Sequence, residues 1–142
     1  TIGECSKWTF KAASVILGEG GYGGVFWQYG ANNWGEAVGM KVAPGATKVT
    51  FKAWSASAEG GELVEFSAGG INEPINPCHD TVLLGPSGAT QVTLTTTPTE
   101  YSVDLQGATY PSGIIGGFVW TVKVATVDEL VSFYVDEIQW EK

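Results

Sequence analysis

Within residues 26–35, Trp27, Tyr29 and Trp34 are interleaved with the amides of Gln28, Asn32 and Asn33 and flanked by glycines. Flat rings beside amides suit a ligand that has an apolar face and a rim of hydroxyls. The rings cover its C–H groups, while the amides both donate and accept hydrogen bonds. That is the chemistry of a sugar. Each residue also has a structural reading, because aromatics pack well in strands and Asn supplies turn geometry. It is the cluster, more than any one ring, that points to a ligand.

Other chemistries are poorly supplied. Glu137, Gln139 and Glu141 alternate along one strand-like segment, but the central residue is an amide and Glu141 is next to the last residue given. Retaining glycoside hydrolysis needs two carboxylates about 5 Å apart with unequal surroundings. Glu65 interrupts an apolar run and reads either as a solvated acid or as a bidentate acceptor for sugar hydroxyls. His79 is the only histidine and is adjacent to Cys78, which leaves little for a nucleophile–histidine arrangement.

The net charge is −8, from 15 acidic residues against 7 lysines and no arginine. Such a chain cannot neutralise a run of phosphates, which argues against nucleic acid and anionic membrane surfaces and leaves a neutral or cationic ligand. No run of about twenty apolar residues is available to span a membrane. The abrupt start at Thr1, with no signal peptide, reads as a processed or excised module. Cys5 and Cys78 have neither metal-site nor redox-motif spacing, so a single disulfide between them is expected, with two buried free thiols as the alternative. A secreted location follows if that bond forms.

The elements that must position these residues are strands. With 142 residues, 20 glycines and only 15% charged side chains, the chain reads as one domain, residues 1–142, built of short strands and tight turns. Apolar residues alternate at Trp8 and Phe10, at Val25, Trp27 and Tyr29, and across residues 48–57, where Trp54 points away from Val49, Phe51 and Ala53. In 62–68 Leu63, Glu65 and Ser67 oppose Val64 and Phe66, and in 91–97 Gln91, Thr93 and Thr95 oppose Val92 and Leu94. Residues 100–105, 114–125 and 130–140 alternate likewise, with Phe118 and Trp120 sharing a face. Residues 69–79 read as a long irregular connection, of the kind that often carries function. Eight or nine antiparallel strands in such a length make an all-β antiparallel sandwich or barrel.

The closing segment Val131-Ser132-Phe133-Tyr134-Val135-Asp136-Glu137-Ile138-Gln139-Trp140 resembles the final strand of bacterial carbohydrate-binding modules with a β-jelly-roll fold. Residues 100–105, 114–120 and 45–54 resemble other strands of such modules. The resemblance implies a β-sandwich of jelly-roll type, a non-catalytic appendage to a secreted polysaccharide-degrading enzyme. It places a polysaccharide or oligosaccharide across the concave sheet or at the loop tips, and a structural calcium ion on Asp136 with an N-terminal acid, Glu4 or Glu19. The combined reading is a monomeric module for a neutral polysaccharide, most plausibly a β-glucan. Trp27, Tyr29, Trp34, Trp54 and Trp120 would stack on sugar rings, and Gln28, Asn32, Asn33 and Glu65 would fix hydroxyls. A surface-structural or adhesin-like sandwich and a small jelly-roll glycoside hydrolase are the alternatives.

Overall fold

The computed structural model describes residues 5–42, 45–80 and 90–142. Its eight strands are β1 (Ser6–Lys11), β2 (Gly21–Gln28), β3 (Lys48–Ser55), β4 (Leu63–Ser67), β5 (Thr90–Thr93), β6 (Thr99–Asp104), β7 (Gly116–Val124) and β8 (Leu130–Glu141), with no helix among the described residues. They form two four-stranded antiparallel sheets, the first in the order β1-β8-β3-β6 and the second in the order β2-β7-β4-β5. Consecutive strands thus lie in different sheets, except β4 and β5, which pair with each other, and the pairings join residues distant in sequence.

The period-2 pattern explains why the two sheets face each other. Val49, Phe51 and Ala53 from β3, and Val131, Phe133 and Val135 from β8, meet Val64 and Phe66 from β4 and Phe118, Trp120 and Val122 from β7 in one buried cluster. Phe51 lies 4.4 Å from Phe66 and 5.0 Å from Phe118, centroid to centroid, so the sheets interlock through rings.

Two bulges break the alternation. One lies on β7, where Gly117 is the extra residue opposite the Trp27–Gln28 step of β2. The other lies on β8 against β3, where Glu137 takes a left-handed φ of 51° and the Asp136 carboxylate accepts its backbone N–H. Before this bulge the odd residues of β8 are buried; after it Ile138 and Trp140 pack on the core.

The expected Cys5–Cys78 bridge is not formed, and both thiols are free. Cys78 is buried with Ile71 and Ile115 against the second sheet, its N–H bonded to the Gly35 carbonyl. Cys5 is exposed beside the start of β1, on the edge of the first sheet. The support that this bond lent to a secreted location goes with it. Among the described residues no helix is long and apolar enough to cross a membrane.

Candidate functional site

The outer face of the second sheet is assembled from the polar halves of four strands. Registers place Tyr22, Lys123, Leu63 and Thr93 in one row across the sheet, and Gly24, Thr121, Glu65 and Gln91 in the next. Phe26, Val119 and Ser67 form a third row. Adjacent strands are about 4.8 Å apart, so the middle row spans about 14 Å. A groove of about 410 Å³ follows it, lined by Tyr22, Leu63, Glu65, Gln91, Thr121 and Lys123 among others.

Its floor is flat because of Gly24. A Cβ there would stand 2.5 Å from the Trp120 carbonyl oxygen and 2.9 Å from Thr121 Cγ2, so no side chain fits between the rings of Tyr22 and Phe26. Tyr22 is 66% exposed and Leu63 49%. The Lys123 ammonium lies 5.0 Å from the Tyr22 ring centroid, a cation–π contact. Glu65 accepts one long hydrogen bond from the Thr121 hydroxyl, 3.4 Å, and has no ion-pair partner among the described residues. Its remaining lone pairs face solvent, free to accept from a ligand.

Trp34 stands at the end of this face. Its ring, 46% exposed, meets Phe26 edge-on at 5.6 Å. The loop beneath it is held by Asn33, which is 6% exposed. The Asn33 amide donates to the carbonyls of Tyr29 and Ala37, and its oxygen accepts from the N–H groups of Gly35 and Ala37. Asn32 takes the left-handed φ of 57° that Asn tolerates in turns. Asn76, from the irregular segment before Asp80, donates to the Trp34 carbonyl at 3.0 Å.

That segment is anchored by Asp80, a fully buried carboxylate. It accepts from the backbone N–H groups of Ile71 at 2.5 Å, Ile115 at 2.8 Å and Gly116 at 2.6 Å. Burial pushes its pKa above the usual aspartate value, and the three N–H bonds oppose the shift. Burial and the Asp80 charge together push the Tyr110 hydroxyl up to about 12.

The residues singled out in the sequence therefore fall in several places. Glu65 lies in the groove and Trp34 at its end. Trp120 is no platform: it is 3% exposed and packed edge-on to Phe133 at 5.1 Å, because its strand position points into the core. Asn33 is a buried loop brace, its amide fully used by the backbone. Trp54 lies on the outer face of the other sheet with its ring stacked on Tyr134 at 5.1 Å. Trp27, inward-facing, packs on Trp8 and Phe118, and with Gln28 and Tyr29 lines a separate cleft between the sheets. Asn32 is exposed in its turn.

The acids considered for calcium are not brought together. Asp136 caps the β8 bulge. Glu19 sits in the Ile16–Gly20 turn beside the end of β7, whereas Asp136 lies midway along β8 against Lys52, and Glu4 lies outside the described residues. No group of three or more His, Cys, Asp or Glu that could hold a metal occurs among the described residues.

Tyr22, Gln91, Thr121 and Lys123 were not singled out by their types. They join Glu65 only through cross-strand register, and their signal in the sequence is an unremarkable polar position in an alternating strand. Comparison with known proteins finds no matching family model and no significant match among curated proteins.

Proposed function

We propose that the protein is a non-catalytic module that binds a neutral polysaccharide, a β-glucan in the first instance, across the outer face of the second sheet. The observation that carries the reading is the Thr121–Glu65–Gln91 row, hydroxyl, unpaired carboxylate and amide in line, beside the exposed ring of Tyr22. A chain lying along that row would exchange hydrogen bonds with all three groups and set one face against Tyr22, with Phe26 and Trp34 beyond it. Among the described residues Glu65 is the only carboxylate lining the groove, which favours binding over a two-carboxylate hydrolysis. In fold, the proposal is a jelly roll. The orders β1-β8-β3-β6 and β2-β7-β4-β5 support it, since eight strands that cross between two sheets at every connection but β4–β5 are what two interleaved Greek keys produce.

The test is affinity electrophoresis against soluble neutral polysaccharides, with a reducing-sugar assay on the same samples. The expected result is retardation by at least one glucan, diminished in Tyr22→Ala and Glu65→Gln, with no sugar released. Absence of retardation by every polysaccharide, or release of reducing sugar abolished by Glu65→Gln, would overturn the proposal.

A further inference from the structure

The two bulges build a second cavity that the glycan-binding reading does not use. Opposite the β7 bulge at Gly117, Trp27, Gln28 and Tyr29, at and just beyond the end of β2, all line one cleft. Beyond the β8 bulge, Ile138 and Trp140 turn inward from the facing sheet. The cleft they enclose with Met40 and Phe118 measures about 430 Å³, within the range of small-molecule sites. Its walls are fixed in advance. Trp140 donates its indole N–H to the Gly117 carbonyl at 3.2 Å and meets Tyr110 edge-on at 5.6 Å, while Trp27 is held by Trp8 and Phe118, each 5.3 Å away.

The chemistry of the lining is specific. Among the described residues no charged side chain lines the cleft, and four of the lining side chains are aromatic. The one side-chain amide is Gln28, whose Nε2 is closed to solvent and has no hydrogen-bond partner among the described residues, so a ligand oxygen meets it when the amide turns toward the cleft. A buried donor without an acceptor is costly, and an acceptor brought by a ligand relieves that cost. A charged ligand would find no counter-ion there, and the chain's net charge of −8 opposes an anion.

We infer that this cleft is a binding site for a small uncharged aryl compound carrying one acceptor oxygen, its ring between Trp27 and Trp140 and its oxygen on Gln28 Nε2.

The probes are methyl benzoate, toluene, benzoate and the saturated methyl cyclohexanecarboxylate, titrated into the intact protein while the indole N–H signals of Trp27 and Trp140 are followed by NMR. Methyl benzoate is expected to shift both signals and to bind about tenfold more tightly than toluene, the worth of one hydrogen bond to a buried donor. Gln28→Leu should erase that advantage and leave toluene binding unchanged. Met40→Trp, which narrows the mouth, should abolish both. The inference is overturned if the ester moves neither indole up to its solubility limit, or binds wild-type protein no better than toluene. It is likewise overturned if benzoate or the saturated ester binds as well, or if the ester keeps its advantage in Gln28→Leu. The comparison of probes on wild-type protein decides the matter even should a variant fail to fold, and none of it depends on the glycan groove.

Discussion

The outer faces of the two sheets are built from the same kinds of residue and differ in what those residues have left to give. On the first sheet, Lys7 lies 5.7 Å from the ring centroid of Tyr134, and Tyr134 stacks on Trp54 at an interplanar angle of 16°. Lys52 pairs with Glu137 at 2.8 Å and Lys48 with Glu141 at 3.2 Å, while Thr50 donates to Glu141 at 2.7 Å. On the second sheet Tyr22, Phe26 and Trp34 remain exposed, and Glu65 has only the long bond from Thr121. Aromatic content is therefore a poor guide to a binding face. A face binds through rings left exposed and polar atoms left unpaired, and Tyr22, exposed even with Lys123 against it, meets that criterion where the half-buried, stacked Trp54 does not.

Breaking the groove should separate the faces most sharply at Glu65. Glu65→Ala removes charge-assisted hydrogen bonds and is expected to weaken glucan binding tenfold to about a hundredfold by isothermal calorimetry, with little change in melting temperature because the side chain is exposed. Tyr22→Ala should cost about tenfold, the contribution of one stacked ring. Trp34→Ala, at the end of the groove, should cost about fivefold and spare stability. A sharp fall in melting temperature with affinity intact would make that ring part of the packing.

Trp54→Ala should leave glucan affinity unchanged, while the loss of its stack on Tyr134 registers only as a modest fall in melting temperature. The smallest effect belongs to Lys48→Ala. Hydrogen bonds from Thr50 and Lys48 hold the Glu141 carboxyl below the usual glutamate range. A depressed folded-state pKa stabilises the protein above the unfolded-state value, and that contribution is lost as pH falls through the folded-state one. Removing Lys48 should flatten this acid limb slightly in thermal unfolding scans and leave glucan binding untouched. Both pairs on this face are exposed, so each contributes little.

Much of the fold is legible in the alternation. The sequence puts Val64 and Phe66 opposite Leu63, Glu65 and Ser67, and Phe118 and Trp120 opposite Val119 and Thr121, and the sheets follow those faces. The bulges are not legible, because an inserted residue changes parity without leaving a compositional mark. Glu137 is not a residue type that announces a left-handed conformation, yet it reverses the parity of everything after it in β8. The site was legible only in part. Glu65 stands out as an acid in an apolar strand, whereas Gln91 and Thr121 acquire meaning only once register sets them on either side of Glu65. The aromatic cluster at residues 26–35 does not mark one surface. Cross-strand neighbours divide it among groove, core and cleft.

The most direct test of the contrast between the faces is a backbone and indole chemical-shift map of the protein titrated with a soluble glucan oligosaccharide. The expected result is a band of shifts through Tyr22, Thr121, Glu65 and Gln91, reaching the Trp34 indole, with Lys7, Trp54 and Tyr134 still. Shifts centred on the Lys7–Tyr134–Trp54 stack, or none on the second sheet with a glucan shown independently to bind, would contradict the account.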